Sequence, residues 1–384
     1  MTMERIAVFC LYAKKGKLSK PTIFTLRELK KCSKELIVVV NGSIDSKEEL
    51  MHYADRVIVR ENRGYDIAAY KKVLFLPGYI EKIRKSGEII FCNSSFYGPF
   101  IPFEDIFRKM EDSSADFWGI SSAEKNMICH IQSYFMVFRR RVLEGEEFYS
   151  YIRDKVNERN ADYFGVCSVF ENGLFHVLKN AGYQFDSFKR SIDYDSYSKP
   201  YGSIKADHLP ILKKKIFSKE FYNREQAVSA LWYIKNHYDY DVSDILEDAA
   251  WEYGVEIREE DLKECCKITE EDKIFVKPEM VKREEIEQFI EMEEQVYLYG
   301  NGKTAQDIYS LFFFYEDNPK LGGFIISDDQ MVTEREFRGY PVYKVSELDI
   351  SDKAVLVSLN KENTKAVMGY LKRAGTVKIL WKNL

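Results

Sequence analysis

The chain has 384 residues, with 57 Lys and Arg against 62 Asp and Glu, giving a net charge of -5 with both signs interspersed. That length suits two or three domains, and the lack of a basic face argues against nucleic acid as a partner. No apolar stretch approaches the ~20 residues of a membrane span, and the apolar run in MTMERIAVFCLY is too short for a signal peptide. The expected location is cytoplasmic, with peripheral association at the inner face of the cell membrane left open.

In chain order, Ile6 to Tyr12 reads as a buried strand and Ile23 to Lys34 has helical spacing. Glu35 to Asn41 (ELIVVVN) and Arg56 to Arg60 (RVIVR) are β-branched and read as two further strands. A helix over Asp66 to Leu76 and a strand over Glu88 to Cys92 follow. This alternation predicts an α/β fold with a parallel, helix-covered sheet. Cys129 to Phe138 reads as one more strand, Cys167 to Gly182 as a helix closed by its glycine, and Leu209 to Phe217 (LPILKKKIF) as the end of the domain. Charged amphipathic segments fill 218–290, and strand–helix alternation restarts from Glu294. The expected organisation is therefore 1–217, a helical connector at 218–290, and a smaller α/β domain at 291–384. Aromatic residues make up 15% of the chain, which points first to large cores and second to a carbohydrate-handling surface. The seven cysteines are odd in number and contain no C-x-x-C pair, as expected of buried thiols in a reducing compartment.

Three segments carry candidate chemistry. Asn62-Arg63-Gly64 follows a strand, and Asp66 precedes a helical run. Gly64 permits a sharp turn, helix N-terminal amides favour phosphate, and Arg63 could add a charge-assisted contact; the alternative is that Gly64 turns the chain and Asp66 caps a helix. Phe91 to Phe100 (FCNSSFYGPF) is a strand ending in small polar residues, either a ligand edge or a plain Asn/Ser turn. In HIQSYF, strand geometry would place His130, Gln132 and Tyr134 on one face, and Ile131, Ser133 and Phe135 on the other. Together these segments read as one nucleotide-sugar site built on strand-to-loop junctions.

The blocks AVFCLYAKKGKLS, ENRGYDIAAYKK, NSSFYGPF, DFWGI, HIQSYFMVF and LPILKKKIF, in that order, resemble the rhamnan synthesis protein F family over the first ~215 residues. The resemblance implies a GT-A-like (Rossmann-like) glycosyltransferase domain that uses a nucleotide-diphosphate sugar. It implies transfer of rhamnose from dTDP-rhamnose, with inversion, onto a growing cell-surface glycan or a lipid-linked one. On that resemblance the donor base and ribose lie near Phe9 to Tyr12 and Asn62. Arg63, Gly64 and Asp66 line the ribose and diphosphate, and Asn93 and Ser95 face the donor sugar. His130, Gln132 and Glu171 surround the reacting hydroxyl, with Tyr134 on the same acceptor or sugar side.

Phe170 to Phe185 is similar to the acidic helix of inverting GT-A enzymes. Glu171 falls on the Glu of the usual acidic pair, while Asn172 stands where the Asp would be. Glu171 is the candidate base, or else an acid set against the helix dipole. The Asp-x-Asp that commonly holds Mg²⁺ or Mn²⁺ reads Asn93-Ser94-Ser95, a poor donor set for a hard dication. No cofactor is certain, Mg²⁺ or Mn²⁺ stays open, and weak or absent metal dependence is expected, with Arg63 and backbone amides carrying the diphosphate charge. Asp193-Tyr194-Asp195 and Asp239-Tyr240-Asp241 lie too late in the chain for that role. Lys71 and Lys72 read as solvated helix residues first and phosphate contacts second, and Lys213 to Lys215 as a solvated run or a phosphate or anionic-lipid contact.

In the last domain, Gly300-x-Gly302-x-x-Ala305 follows QVYLY, and an acid, Asp328, lies beyond a second apolar segment. This is the layout of a dinucleotide fingerprint, and the unit also looks like the small Rossmann-like domain of some sugar-modifying acyltransferases. Nucleotide binding at Gly300, Gly302 and Asp328, a scaffold role, and an NAD-linked activity all stay open. With acids missing at Ser94 and Asn172, the rival for the whole chain is a catalytically inactive nucleotide-sugar-binding or scaffold protein of a polysaccharide assembly complex.

Overall fold

The computed structural model describes residues 4–13, 16–125, 128–156, 167–189, 194–263, 266–268, 283–314, 318–330, 335–359, 363–364, 367–368, 371 and 378–380. The chain divides into two units, one of Met1–Ala123 with Cys129–Phe275, the other of Glu124–Ile128 with Val276–Leu384.

The first unit is built on β1 (Arg5–Leu11), β2 (Glu35–Asn41), β3 (Arg56–Arg60), β4 (Glu88–Asn93), β5 (Phe96–Tyr97), β6 (Phe117–Lys125), β7 (Ile128–Ile131), β8 (Phe135–Arg139), β9 (Phe185–Lys189) and β10 (Leu212–Lys213). Its main sheet runs β3-β2-β1-β4-β8-β6-β7, with β9 also on β6. β1 pairs in parallel with both β2 and β4, and β2 in parallel with β3. The antiparallel β8 separates β4 from β6. β1, β2 and β4 are buried along nearly their whole length, which is why their sequences run apolar without alternation. Chain order reverses about β1, and helices Lys20–Cys32 and Tyr65–Leu74 connect the early strands. Such a reversal opens a crevice at the strands' carboxyl ends.

The strand expected over Cys129 to Phe138 is two strands, β7 and β8, broken at Gln132–Tyr134. The backbone N–H of Ser133 is spent on a carboxylate, Glu171, rather than on a sheet neighbour. The expected helix from Cys167 is a π-helix over Cys167–Leu174 that continues as an α-helix over Phe175–Asn180. Wide turns of this kind recur at functional sites.

The segment expected as a connector is divided between the units. Helix Arg224–His237 is N-capped by Asn223, whose Oδ1 accepts from Gln226 N at 3.0 Å, and helix Val242–Tyr253 by Asp241. Both share an apolar cluster with Tyr97, Phe100, Tyr201 and Leu212 of the first unit. Helix Arg283–Met292 instead packs Ile286 and Ile290 with strand residues of the second unit. The second unit holds β11 (Val296–Tyr299), β12 (Leu321–Ile326), β13 (Glu336–Phe337), β14 (Tyr340–Lys344), β15 (Ala354–Val357) and β16 (Lys378–Leu380), in spatial order β13-β14-β12-β11-β15-β16. All pairs are parallel except β13 with β14. The α/β class with parallel-rich sheets is thus present in both units.

Many of the aromatics are core residues: Tyr70 stacks on Phe91 at 4.4 Å, and Phe170 lies 5.6 Å from Tyr70. Cys10, Cys32, Cys92 and Cys266 are buried free thiols. Among the described residues, no helix is long and apolar enough to cross a membrane.

Candidate functional site

An open cavity of ≈ 490 Å³ lies at the carboxyl ends of β1, β2 and β4, within the range of small-ligand pockets. Cys10 and Tyr12 line it from the end of β1, Asn41 from β2, Asn62, Tyr65 and Asp66 from the turn after β3, and Asn93, Ser94 and Ser95 from β4. Ser133, Tyr134, Phe170 and Glu171 form a second wall. Tyr197, Lys213, Lys214, Lys215, Glu252 and Tyr253 complete the lining.

The turn after β3 is built by its backbone. Gly64 takes φ 70°, and Tyr65 takes φ 52°, a left-handed conformation that a bulky side chain rarely adopts. Asn41 secures it: Asn41 Nδ2 donates to the Tyr65 carbonyl at 2.7 Å, while Arg60 Nη1 donates to Asn41 Oδ1 at 2.7 Å. The result sets the Tyr65 ring, 41% exposed, at the cavity with Tyr12, 56% exposed. Arg63, expected on the diphosphate, is exposed and paired with Glu61 at 2.9 Å, outside the cavity lining. The left-handed pair turns the chain after Arg63, so its neighbours Asn62 and Tyr65 face the cavity instead.

Asp66 opens the next helix but does more than cap it. Its Oδ1 accepts from the Ile67 N–H at 2.9 Å, and its Oδ2 accepts from Asn93 Nδ2 at 2.6 Å. Burial pushes the Asp66 carboxyl above the usual carboxylate range, the Asn93 bond opposes this, and the nearby Glu171 adds to it. The Cys10 thiol beside it is pushed well up, by burial first and by Asp66 second, which suits a packed thiol rather than a nucleophile.

Asn93 Oδ1 accepts from both Ser95 N (3.1 Å) and Ser95 Oγ (2.6 Å), and Ser94 Oγ accepts from Tyr12 N at 3.1 Å. The loop that carries Asp-x-Asp in metal-dependent relatives of the expected fold is therefore knitted to itself and to β1. Asn93 presents its amino group, not an oxygen, to the Asp66 carboxylate. Among the described residues, no group of three or more His, Cys, Asp or Glu is placed to hold a metal ion. The amide and hydroxyl groups of Asn93, Ser94 and Ser95 are weaker donors to a hard dication than a pair of carboxylates in that place.

Glu171 stands on the π-helix, with Oε1 accepting from Ser133 N at 3.0 Å and Ser133 Oγ at 2.6 Å. His130 Nε2 is 3.8 Å from Glu171 Oε2. The expected common face of His130, Gln132 and Tyr134 is absent because the strand breaks between them. Tyr134 is buried, its hydroxyl 2.7 Å from Ser121 Oγ, with its ring in the cavity wall. Gln132 Oε1 instead accepts from Ser121 Oγ at 3.4 Å, and neither Gln132 nor His130 lines the cavity. Asn172 is buried.

Lys71, expected as solvated, donates to the carbonyls of Arg153 (2.6 Å) and Val156 (2.7 Å), where a helix ends, whereas Lys72 is exposed. The 213–215 lysines are not one solvated run either. Lys213 and Lys214 are buried because β10 pairs with β5, and only Lys215 is exposed. Asp195 and Asp241 accept from nearby backbone amides, and Asp193 lies outside the described residues.

In the second unit, Gly300 takes φ 111°, and a Cβ there would meet Leu359 Cδ2 at 2.7 Å and Ser358 O at 3.1 Å. Gly302 faces open space. Asp328 Oδ1 accepts from Ser346 N at 3.1 Å and Ser346 Oγ at 2.7 Å, so this carboxylate closes a loop of the sheet. The glycine at 300 is explained by close backbone approach without any ligand.

Sequence reasoning did not single out Ser133, Tyr65, Tyr197, Glu252 or Tyr253. Strand alternation puts Ser133 on the face opposite His130, and Glu252 and Tyr253 lie in a segment whose charged amphipathic pattern suits a connector. The signal for Lys213 was present in LPILKKKIF, with its burial hidden.

Residues 36–282 match the model of the family described as rhamnan synthesis protein F. Two curated relatives, both called virulence protein VirA and both from Vibrio anguillarum, are 27% identical over 181 residues, 47% of this chain and 57% of theirs. The chain thus spans a little over half the length of these relatives. Among solved structures, the glycosyltransferase GlyE of Streptococcus pneumoniae TIGR4 aligns over 96% of this chain and 89% of its own, at 13% identity and TM-score 0.34. A CMP:2-keto-3-deoxy-manno-octonic acid synthetase complexed with CTP aligns over 48% of this chain and 89% of its own, at 14% identity and TM-score 0.26. The fold described above rests on the sheet order and register, not on these low scores.

Proposed function

The chain belongs to the rhamnan synthesis protein F family, and from that premise we propose that it is a GT-A-like glycosyltransferase of polysaccharide synthesis. The donor is a nucleotide-diphosphate sugar, dTDP-rhamnose being the first candidate, and the acceptor is a growing glycan, free or lipid-linked. The observation that carries this reading is the cavity at the carboxyl ends of β1, β2 and β4, with a glutamate held at its wall by Ser133.

In the proposed mechanism, Tyr12, Asn62 and Tyr65 receive the base and ribose at the outer end. Asn93 and Ser95 lie toward the sugar. Glu171 takes the proton of the attacking acceptor hydroxyl as the new C1–O bond forms, and the old C1–O bond breaks on the opposite face with its electron pair passing to the diphosphate. That displacement inverts the anomeric centre. His130, beside the second Glu171 oxygen, positions the carboxylate rather than touching the sugar. Turnover does not require a divalent cation, because the loop after β4 offers amide and hydroxyl groups already bonded to one another. The protein works in the cytoplasm, at the inner face of the membrane when its acceptor is lipid-linked.

A second reading is favoured by Asn172 and Ser94, which stand where acids are usual: a nucleotide-sugar-binding protein without turnover. Donor hydrolysis by the purified chain against dTDP-, UDP- and GDP-sugars, with and without EDTA, separates the two. Hydrolysis of one donor that vanishes in Glu171→Gln supports the transferase. Tight donor binding with no hydrolysis, and no transfer to any glycan acceptor, supports the binding protein.

A further inference from the structure

We propose that Asp66 reads the sugar carried by the donor: its carboxylate accepts hydrogen bonds from two adjacent hydroxyls of the sugar ring. This deepens, and rests on, the transferase reading above.

The first argument is placement. Asp66 and Glu171 line the same cavity, and the negative charge of Glu171 reaches Asp66 and disfavours its ionised form. Asn93 ties Asp66 to the carboxyl end of β4 through the 2.6 Å bond from Nδ2 to Oδ2. Tyr12, Asn62 and Tyr65 line the cavity as exposed residues, whereas Asp66 is partly buried. With the base and ribose at those exposed residues and Glu171 at the reacting carbon, Asp66 falls beside the ring that carries that carbon.

The second argument is charge. Like charges repel strongly in a cavity that water screens poorly. The wall shared by Asp66 and Glu171 therefore does not suit a diphosphate. It suits uncharged groups that carry protons, and a sugar ring presents a row of them.

The third argument is capacity. A carboxylate offers about four acceptor sites on its two oxygens. Oδ1 accepts from the Ile67 N–H at 2.9 Å and Oδ2 from Asn93, and among the described residues these are its hydrogen-bond partners. Both donors are neutral, and each oxygen keeps room for a further proton. Two hydroxyls on adjacent ring carbons are spaced to meet such a pair of oxygens. Hydrogen bonds to a carboxylate are the strong kind, and a partly buried carboxylate with neutral partners gains from each one added. Asn93 does not compete for these protons. Its Oδ1 already accepts from Ser95 N at 3.1 Å and Ser95 Oγ at 2.6 Å, which turns its amino group toward Asp66.

The test measures binding to the full chain in EDTA by calorimetry, for wild type, Asp66→Asn and Asp66→Ala. The probes are dTDP-, UDP- and GDP-sugars, the free diphosphates, and deoxy analogues of the tightest nucleotide sugar that lack the hydroxyl at C2, C3 or C4. In wild type that nucleotide sugar should bind at least ~10-fold more tightly than its free diphosphate, and loss of either of two adjacent hydroxyls should remove about that factor. Both variants should bind the parent nucleotide sugar ~10-fold or more weakly than wild type does. In Asp66→Ala the deoxy analogues should bind no worse than the parent. Asp66→Asn keeps the size of the side chain and turns one acceptor into a donor, so at least one deoxy penalty should vanish there even if Asp66→Ala fails to fold. Free diphosphate affinity should stay within ~2-fold of wild type, which shows that the cavity is intact. Deoxy analogues that all bind wild type as the parent does overturn the proposal, and so do deoxy penalties that survive in full in both variants. A variant that weakens the free diphosphate as much as the nucleotide sugar puts the carboxylate on the ribose and also overturns it. A sugar preference that appears only with Mn²⁺ does the same, since Asp66 would then act as a metal ligand. If wild type binds neither nucleotides nor nucleotide sugars, the donor-site reading itself fails, an outcome distinct from loss of the Asp66 effect alone.

Discussion

Ser133 holds Glu171 by a single carboxylate oxygen: its N–H and its hydroxyl both donate to Oε1, at 3.0 and 2.6 Å. Oε2 is left toward His130 Nε2, 3.8 Å away. The two residues are 38 positions apart, one in the break between β7 and β8, the other on a π-helix. The break in the strand and the wide turn of the helix thus meet in one contact. A base works only when its free oxygen is aimed, and two bonds to its partner oxygen fix that aim.

Exchange of Glu171 for Gln keeps the size of the side chain and removes its basicity. Turnover in Glu171→Gln should fall by ~10²–10⁴, the usual worth of a general base, with donor affinity little changed. Ser133→Ala removes the 2.6 Å bond but keeps the backbone one, so a smaller loss, about 10-fold in kcat, is expected. Steady-state kinetics with donor and acceptor varied in turn will decide this. Equal kcat in Glu171→Gln and wild type would remove Glu171 from the chemistry.

Much of the fold could be read from strands such as ELIVVVN, because strands buried on both faces are written as unbroken apolar runs, while the edge strand RVIVR shows by its β-branched residues although only Val57 of it is buried. The positions at strand ends that reach the cavity, Tyr12, Asn62, Asp66 and Asn93, were also legible, since a parallel sheet exposes its carboxyl ends. HIQSYF misled because local alternation cannot reveal that the Ser133 amide is claimed by a carboxylate far along the chain. The position of Arg63 outside the cavity lining was not legible, because charge type is visible in a sequence but the turn made by the two left-handed residues that follow it, Gly64 and Tyr65, is not. Lys213 and Lys214 looked solvated because their burial depends on the pairing of β10 with β5, a contact across more than 100 residues. Helices Arg224–His237 and Val242–Tyr253 looked like a connector because their apolar faces have partners, Tyr97 and Phe100, that nothing local identifies.

Asp66 should leave a signature in the pH dependence of stability. Its carboxyl is held above the ordinary range, chiefly by burial, so the folded state binds its proton more tightly than the unfolded chain does. The stability it contributes is then fully present below the unfolded carboxyl range and is lost as pH rises through the raised folded value. Asn cannot titrate, so the stability of wild type relative to Asp66→Asn should rise as pH is lowered through that window. Urea midpoints for both proteins at a series of pH values check this, and a difference that stays flat with pH would contradict it.

Glu88 is a structural counterpart to these groups. It is 1% exposed and accepts from Arg5 Nε at 2.6 Å and Arg139 Nε at 3.0 Å, tying β1, β4 and β8 together at the end away from the cavity. Glu88→Ala leaves two partly buried guanidinium groups without that partner and should cost about 3–5 kcal/mol. Chemical denaturation should show a lower midpoint with an unchanged slope. Nucleotide binding by the fraction still folded should match wild type, since none of the three residues lines the cavity.

Gly119 links packing to the site. A Cβ on this β6 residue would lie 2.1 Å from Ile131 Cγ2 and 2.8 Å from the Phe135 carbonyl oxygen. The side chain of Ile131 could turn, but the carbonyl belongs to β8, which pairs with β6 and cannot retreat without bending the sheet. Ile131 and Phe135 flank the Gln132–Tyr134 break that presents Ser133 to Glu171. Gly119→Ala should therefore cost about 1–3 kcal/mol by overpacking, and it should also lower kcat with little effect on nucleotide affinity. The control is Gly182→Ala: that glycine has φ 84° but nothing within 4 Å of an added Cβ, so backbone strain alone would destabilise the protein there. If Gly182→Ala, matched for lost stability, lowers kcat as much as Gly119→Ala, then the catalytic loss follows general destabilisation and not displacement of Ser133.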